Sequence, residues 1–515
     1  MPAESADPTT VPAMLEHRVA HDPDAPFLLT PVGDELSYRE VWRRAGVIAD
    51  RLRAAGVQAG DAVGVYLGNE PAWVVAMFGC WALGAITAAC GAASPPEEAL
   101  RRFAIADAKA VITREGLAGA GTTPQFVVDA LGAIGDDDGS IPRAARRDVA
   151  RDDVAFIMFS SGTTGEAKAV VNLHGKLADG PVVTAGTYSS SNRFRPRASG
   201  KGKPPAISFN PFGQSASLGR IIFRLYVGRP VILVQKFDID VMAELAAHHP
   251  LDTLQLAPAM IHALAYTDRS ISLGALKYVN SGTAPLSSTV REDFERRYGV
   301  PVLQSYGSSE AGLIALENYE DAMAGRRGPG SVGRLVPGVE LRIVDDDGRD
   351  VADGDDGELA RRVPKGQEAR FLTREGEADL PTEGEGWYRT GDVGRMVDGI
   401  LYITGRRKEM LVVGGFNVYP AEVEEVLRQS DLVLDAVVVG LPDDRLGERP
   451  VAGIVWGPST ISVDEREAAL VVHAREKLEA YKVPRRWFAL DEVPLNPNLK
   501  VDRLRALQIA TEQLG

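Results

Sequence analysis

The sequence predicts an α/β protein of layered, buried sheets, and three observations carry that prediction. Helical and strand patterns alternate through most of the 515 residues, separated by short polar turns. Several strand-like runs are apolar throughout, among them Ala62–Leu67 (AVGVYL), the PVILV run at 230–234 and the DAVVVG run at 435–440. A composition of 45% hydrophobic and 25% charged residues supplies a large core, and the length allows more than one domain.

Taken in chain order, the N-terminal MPAESADPTTVPAML is polar and acidic and lacks the basic start and apolar run of a signal peptide. Residues 39–55 carry apolar positions at helical spacing, and Gly56 marks the stop. Residues 71–94 hold no charge over a length that could span a bilayer. Gly79, Gly84 and Gly91 interrupt that stretch and Pro95–Pro96 end it, so a buried helix running into a buried strand is expected, not a membrane span. Cys80 and Cys90 have neither metal-ligand nor redox spacing and are expected as small buried hydrophobes.

A net charge of −14 argues against a global pull toward nucleic acid or an anionic membrane, and the expected location is cytoplasmic. Any anionic ligand must then be held by local positive groups. One positive patch, Arg193, Arg195, Arg197, Lys201 and Lys203, lies in the Ser-, Gly- and Pro-rich stretch 180–205, readable as a surface loop or as a contact for ligand phosphates. Residues 339–362 suggest short strands joined by Asp-Gly turns, with Asp345–Asp347 as a solvated hairpin tip in preference to a metal site.

The chemistry concentrates in FSSGTTGEAKAVV at 159–171. The preceding DVAFIMF is strand-like, so the loop leaves the end of a sheet. Ser160, Ser161, Thr163 and Thr164 offer hydroxyl donors. Gly162 and Gly165 let backbone N–H groups approach an anion, and Lys168 can place a point charge on terminal phosphates. The glycine spacing and the Ala169 that follows the lysine exclude a Walker A loop.

This loop resembles the phosphate signature of the adenylate-forming superfamily (acyl-CoA synthetases, firefly-type luciferases and peptide-synthetase adenylation domains), whose pattern is close to TSGTTGxPKG. Further resemblances follow in the family's order. They are NSGTAPL at 280–286, QSYGSSEAG at 304–312, the long stretch 388–427 that contains YRTGDVGRMVDG, and 481–507 with NPNLK near its middle. The resemblance implies a large N-terminal domain over residues 1–407, made of layered sheets with helices plus a barrel-like part. It also implies a hinge at Lys408 and a small mobile α+β C-terminal domain over 409–515.

The implied reaction has two steps. A carboxylate attacks the α-phosphate of MgATP, giving an acyl-adenylate and pyrophosphate; a thiol, usually that of CoA, then expels AMP. In the first step Thr163, Thr164 and Lys168 would embrace the β- and γ-phosphates, with Ser161, Gly162 and Gly165 completing the loop. Glu310 would hold Mg²⁺, with phosphate and water supplying the other oxygens, and Ser309 keeps the hydroxyl of the family threonine. Tyr306 would stack near the adenine, in a nucleotide site completed by Gly282, Thr283, Ala284, Ser305, Gly307 and Tyr402. Asp392 would accept from both ribose hydroxyls, Arg406 would assist near the ribose and α-phosphate, and Lys500 would bridge carboxylate and α-phosphate.

For the second step Gly414 and Gly415 would line a tunnel for pantetheine. Phe212, Gly213 and Ser281 would line the acyl pocket, where Gly213, Ser215, Ala216, Ser281 and Ser305 are small enough for a bulky acid. Taken singly, Asp392 could end a turn, Glu310 could cap a following helix and Lys500 could be a surface lysine.

Three positions depart from the family pattern: Ala167 replaces a proline, and Ala169 and Leu499 replace glycines. A β-carbon at a glycine position can forbid φ > 0 or block close phosphate approach. The expected activity is an acyl-CoA ligase acting on a small-molecule carboxylic acid with ATP, Mg²⁺ and CoA, oligomeric state left open. The alternatives are an enzyme weak in adenylation that consumes a supplied acyl-adenylate, a ligase that loads a carrier protein, a luciferase-like oxygenase and a non-catalytic nucleotide binder.

Overall fold

The computed structural model describes residues 8–135, 147–160, 168–180, 204–212, 215–251, 254–274, 276–363, 370–373, 376–496 and 499–514. The 39–55 pattern falls on the helix Tyr38–Ala54, capped where Ser37 Oγ accepts from the Glu40 amide at 3.2 Å. Its apolar stripe of Val41, Ala45, Ile48, Ala49 and Leu52 is buried, and Gly56 follows at φ +90°. The uncharged stretch is the helix Pro71–Leu83, buried at every position, then Gly84 in the left-handed conformation and the strand Ile86–Gly91. A helix apolar all round belongs inside a core. Among the described residues no helix is long and apolar enough to cross a membrane. Cys80 and Cys90 are both free and buried.

Three sheets organise the described residues. Eight strands form one of them, in which Ala62–Leu67 lies between Ile86–Gly91 and Ala110–Thr113 in parallel. Its other half runs through Val154–Ser160 and Lys168–Leu173 to the hairpin Arg370–Thr373/Gly376–Asp379. A second sheet, of thirteen strands, has a parallel part that includes Val231–Leu233, Leu254–Leu256 and Val279–Ser281. It turns antiparallel at the hairpin Val302–Ser308/Gly312–Leu316 and continues through Ser331–Leu335, Ile400–Arg406, Trp387–Val397 and Gly357–Arg362 to Leu341–Val344. The segment 331–406 therefore contributes strands to both sheets. The Asp345–Asp347 run is a hairpin tip, with Asp345 Oδ1 accepting from the Arg349 amide at 2.9 Å and Gly348 at φ +79°.

The third sheet holds Phe416–Val418, Leu411–Val413, Gly447–Trp456, Val433–Asp443 and Trp487–Ala489. It has cores of its own: Val423, Leu427, Ala436, Ile454 and Leu470 on one side, and Val437, Val451, Phe488, Ala506 and Ala510 on the other. Glu425 reaches out of this unit to the N-terminus of the helix Ser288–Tyr298, where it accepts from the Ser288 amide at 3.0 Å and from its hydroxyl.

Candidate active site

Asp392 lies inside the strand Trp387–Val397, directly opposite Arg406, so it does not end a turn. It is buried, 3% exposed, and both of its oxygens are engaged: Oδ1 accepts from Arg406 Nε at 2.6 Å and Oδ2 from Tyr306 Oη at 2.7 Å. An ionised carboxylate has about four acceptor sites, so two further donors fit on it. Burial first, then the Asp392 charge, hold the Tyr306 phenol well above its ordinary range, so Tyr306 remains a donor. Tyr402 stands four residues before Arg406 on the strand Ile400–Arg406, with a ring carbon 3.5 Å from where a β-carbon on Gly328 would sit.

The hairpin that carries Tyr306 also carries Glu310 at its tip. A turn and the strand Gly312–Leu316 follow Glu310, and no helix is there for it to cap. Ser308 Oγ accepts from the Ala311 amide at 2.9 Å and fixes that turn. Ser309 Oγ is 3.9 Å from Met158 Sδ, which sets the tip against the strand leading into the phosphate loop. Lower on the same hairpin, Ser305 Oγ donates to the Ser281 carbonyl at 3.1 Å. A β-carbon on Gly282 would stand 2.6 Å from Ser305 Oγ, so only glycine permits this approach. Thr283 then takes φ +75°, an uncommon conformation for a β-branched residue and one that no residue pattern announced. The buried Ser281 Oγ has no hydrogen-bond partner among the described residues.

Lys500 arrives from the other side on a tight turn. Leu499 N donates to the Asn496 carbonyl at 2.9 Å, the Lys500 amide to Asn496 Oδ1 at 3.2 Å, and the Asn496 amide to the Lys500 carbonyl at 2.8 Å. Leu499 itself sits at φ +59°, so a leucine occupies the left-handed position expected for glycine. Burial, then the Arg406 charge, push the Lys500 ammonium below the usual lysine value, while Glu310 and Asp392 act in its favour. Lys500, half-buried, thus shares one electrostatic neighbourhood with Arg406, Glu310 and Asp392. Lys408, in the turn Arg407–Glu409, is pushed down by burial and Arg406 and lies in the fields of Asp392 and Glu310 as well.

Ser161, Gly162, Thr163, Thr164, Gly165, Ala167 and Gly213 lie outside the described residues, as does most of the 180–205 patch. Lys168 opens the strand Lys168–Leu173 opposite Ser160, and Ala169 pairs with Phe159 without a positive φ, so alanine meets no backbone obstacle there. Phe212 turns its ring into the core, stacked on Trp73 at 4.3 Å between centroids. Gly414 and Gly415, at φ +58° and +88°, form the turn between Leu411–Val413 and Phe416–Val418. Among the described residues no three His, Cys, Asp or Glu side chains are grouped to hold a metal.

Residues 15–366 match the family described as AMP-binding enzyme, and residues 422–500 match the AMP-binding enzyme C-terminal domain. The chain belongs to the AMP-binding enzyme family. Within it, this member falls in the acyl-CoA ligase branch and is an AMP-forming acid–thiol ligase. It is 30% identical to sulfoacetate–CoA ligase of Cupriavidus necator over 523 residues, 97% of this chain and 98% of that one. It is 30% identical to indoleacetate–CoA ligase of Aromatoleum aromaticum over 89% of this chain and 90% of that one. ATP-bound MatB from Rhodopseudomonas palustris superposes with a TM-score of 0.85 at 25% identity, covering 98% of this chain and 100% of that one.

Sequence patterns missed one residue at the site of this AMP-binding enzyme and one long-range contact outside it. Burial, then the Glu310 and Asp392 charges, push the Tyr388 phenol up to about 12, so it lies in the field of both carboxylates. Glu425, the partner of Ser288, is 137 positions away along the chain, a separation at which no periodicity operates.

Proposed function

We propose that this acyl-CoA ligase adenylates a bulky carboxylic acid and transfers the acyl group to CoA, with Lys500 as the residue that brings carboxylate and α-phosphate together. The observation that carries this reading is the convergence of Lys500 and Arg406 with Glu310 and Asp392. Adenylation joins two anions, and cations already in place stabilise the charge that develops on the transferring phosphoryl group. Asp392, held by Tyr306 and Arg406, receives the ribose hydroxyls on its remaining acceptor sites. Glu310, a single carboxylate at the hairpin tip, suits Mg²⁺, which takes one or two carboxylates and otherwise water and phosphate oxygens. When bound, that ion would neutralise phosphate charge. Small side chains at Ser281 and Ser305 and the close approach at Gly282 favour a roomy acyl end.

In the second step the lysine must leave and a thiol must enter. The domain 409–515 has cores of its own, and a swing about Lys408 would withdraw Lys500 and bring Gly414–Gly415 to the opening. The test is an acid panel in two arms, ATP–pyrophosphate exchange with free acids and thioester formation from preformed acyl-adenylates with CoA or with a pantetheinylated carrier protein as acceptor. A bulky aromatic or polycyclic acid active in both arms is the expected result. Activity restricted to small acids sinks the pocket assignment, and transfer only to a carrier protein replaces CoA as acceptor.

Leu499 supports a second reading, in which adenylation is slow and a supplied acyl-adenylate is the main substrate. A residue at φ +59° stores strain next to the lysine, and a displacement of about 1 Å costs roughly 10²-fold in rate. Brisk exchange with any free acid rules that reading out.

A further inference from the structure

We propose that Lys176 and Arg361 form a second cationic contact for the departing pyrophosphate, additional to the glycine–threonine loop. This inference rests on the adenylation reading above. Lys176 sits in the short helix at 174–180, which follows directly from the strand Lys168–Leu173. Arg361 comes from the strand Gly357–Arg362, where it pairs with Tyr388. Its Nη1 lies 3.2 Å from where a β-carbon on Gly312 would stand, two residues beyond Glu310. Arg361 is thus beside the tip of the hairpin that carries Glu310, Lys176 lies in the electrostatic fields of both Arg361 and Glu310, and Ser309 sets that tip against the strand leading into the phosphate loop.

What marks the pair is that, among the described residues, neither cation is in direct contact with a carboxylate, although Glu310 lies within the field of Lys176. Arg361 Nε is buried with no hydrogen-bond partner among the described residues. Burial pushes both below their ordinary values, and the Arg361 charge pushes Lys176 down further, with Glu310 only opposing the effect. Cations so placed are costly unless an anion completes them. Arg361 presents a planar fork suited to two phosphate oxygens, and Lys176 a point charge. The site is at the Glu310 end of the hairpin, not at the Ser281–Ser305 end, which selects phosphate over the acyl group.

The chemistry balances without a further reagent. A carboxylate oxygen bonds to the α-phosphorus while the bond from that phosphorus to the bridging oxygen breaks. The electron pair stays on that oxygen, which becomes a terminal oxygen of the departing pyrophosphate, and the two cations stabilise the charge that grows there.

The test uses the full-length protein and the Lys176→Met, Arg361→Leu and Arg361→Lys variants. Calorimetry reads magnesium pyrophosphate binding. Exchange assays read the KM for pyrophosphate and for the acid, and thioester formation from preformed acyl-adenylate monitors the second step. Each apolar variant should weaken pyrophosphate binding about 10–100-fold, as loss of one charged hydrogen-bonding partner does. Arg361→Lys should recover part of the loss, and thioester formation should not change. Pyrophosphate affinity unchanged in a folded Lys176→Met protein overturns the proposal, which keeps it testable should Arg361→Leu fail to fold. A raised KM for the acid with pyrophosphate binding intact also overturns it, by placing the anion in the acyl pocket. A wild-type protein that binds pyrophosphate through Lys176 yet activates no acid leaves this site standing and removes the ligase reading instead.

Discussion

Arg503 donates from Nε to Glu409 Oε2 at 2.9 Å, which ties the helix that follows Lys500 to the residue that follows Lys408. The same guanidinium bonds the Glu424 carboxylate through both terminal nitrogens and the Val438 carbonyl at 3.0 Å. The lysine-bearing turn and the expected pivot thus share one buried anchor. A swing about Lys408 would carry both together, without re-forming Lys500's own support.

Glu424 tests that anchor. It is buried, 4% exposed, and also accepts from the Val438 amide at 2.8 Å. Burial alone would raise its proton affinity, but Arg503 outweighs this and the net position is below the ordinary glutamate value. A depressed carboxylate contributes stability that is fully present above its unfolded value of about 4.3 and is lost as pH falls through the folded value. Glu424→Gln should cost about 3–5 kcal/mol at neutral pH, because it leaves a buried guanidinium short of a charge. Urea unfolding at pH 7 and along a series stepped downward from about pH 4.3 checks both claims: the gap between wild type and variant should hold down to that value and shrink below it. A gap that stays constant through the whole acid series removes Glu424 as the titrating group.

Lys500 must carry its proton to bridge two anions. Its ammonium is pushed below the usual lysine value of about 10.4, so adenylation should fall as pH rises through that lowered value. Lys500→Ala should reduce ATP–pyrophosphate exchange about 10²–10³-fold and leave thioester formation from acyl-adenylate within a few-fold. Lys500→Arg should be slow, yet hold its rate to higher pH. If the alkaline limb stays where it is in Lys500→Arg, another group controls it.

The fold was legible in the sequence where local rules decide it. Uninterrupted apolar runs marked buried strands, and glycine marked the end of the helix Tyr38–Ala54. Asp392, Glu310 and Lys500 were legible as a set because their motifs resemble one family in one order, and the structure places the three in one neighbourhood. What escaped depends on distant pairing. Nothing near Lys176 indicates that the Arg361 charge acts on it, and nothing near Glu425 indicates that it caps the helix at Ser288. The left-handed Thr283 escaped for another reason: threonine is a poor choice for φ > 0 and so gives no signal.

The contact between Glu425 and Ser288 holds the C-terminal sheet in its present pose, with His262 Nε2 3.3 Å from the Leu434 carbonyl alongside it. A carboxylate at a helix N-terminus contributes about 0.3–1 kcal/mol when exposed and up to roughly 2 when partly buried. Glu425→Ala should therefore lower the occupancy of the pose that places Lys500 at Glu310. We expect exchange to fall about 3–30-fold, with thioester formation from acyl-adenylate unchanged or faster. A matching loss in both half-reactions would mean that Glu425 stabilises the fold rather than the pose.

Leu499 is the sharpest case, because two effects oppose each other at one residue. Its φ of +59° costs roughly 1–2 kcal/mol relative to glycine. Its side chain recovers part of that by packing on the core that contains Phe209, Leu256 and Ile261. Leu499→Gly removes both the strain and the packing, so global stability should stay within about 1 kcal/mol of wild type. Leu499→Ala keeps the strain and loses most of the packing, so it should be less stable than the glycine variant by about 1 kcal/mol and slower in exchange. The alanine–glycine difference isolates the backbone cost, and the leucine–glycine difference the combined effect. The expected order of exchange rates is leucine close to glycine, with alanine behind. A glycine variant at least tenfold faster than wild type would show that this leucine holds Lys500 off its mark, and the slow-adenylation reading would then be the correct one.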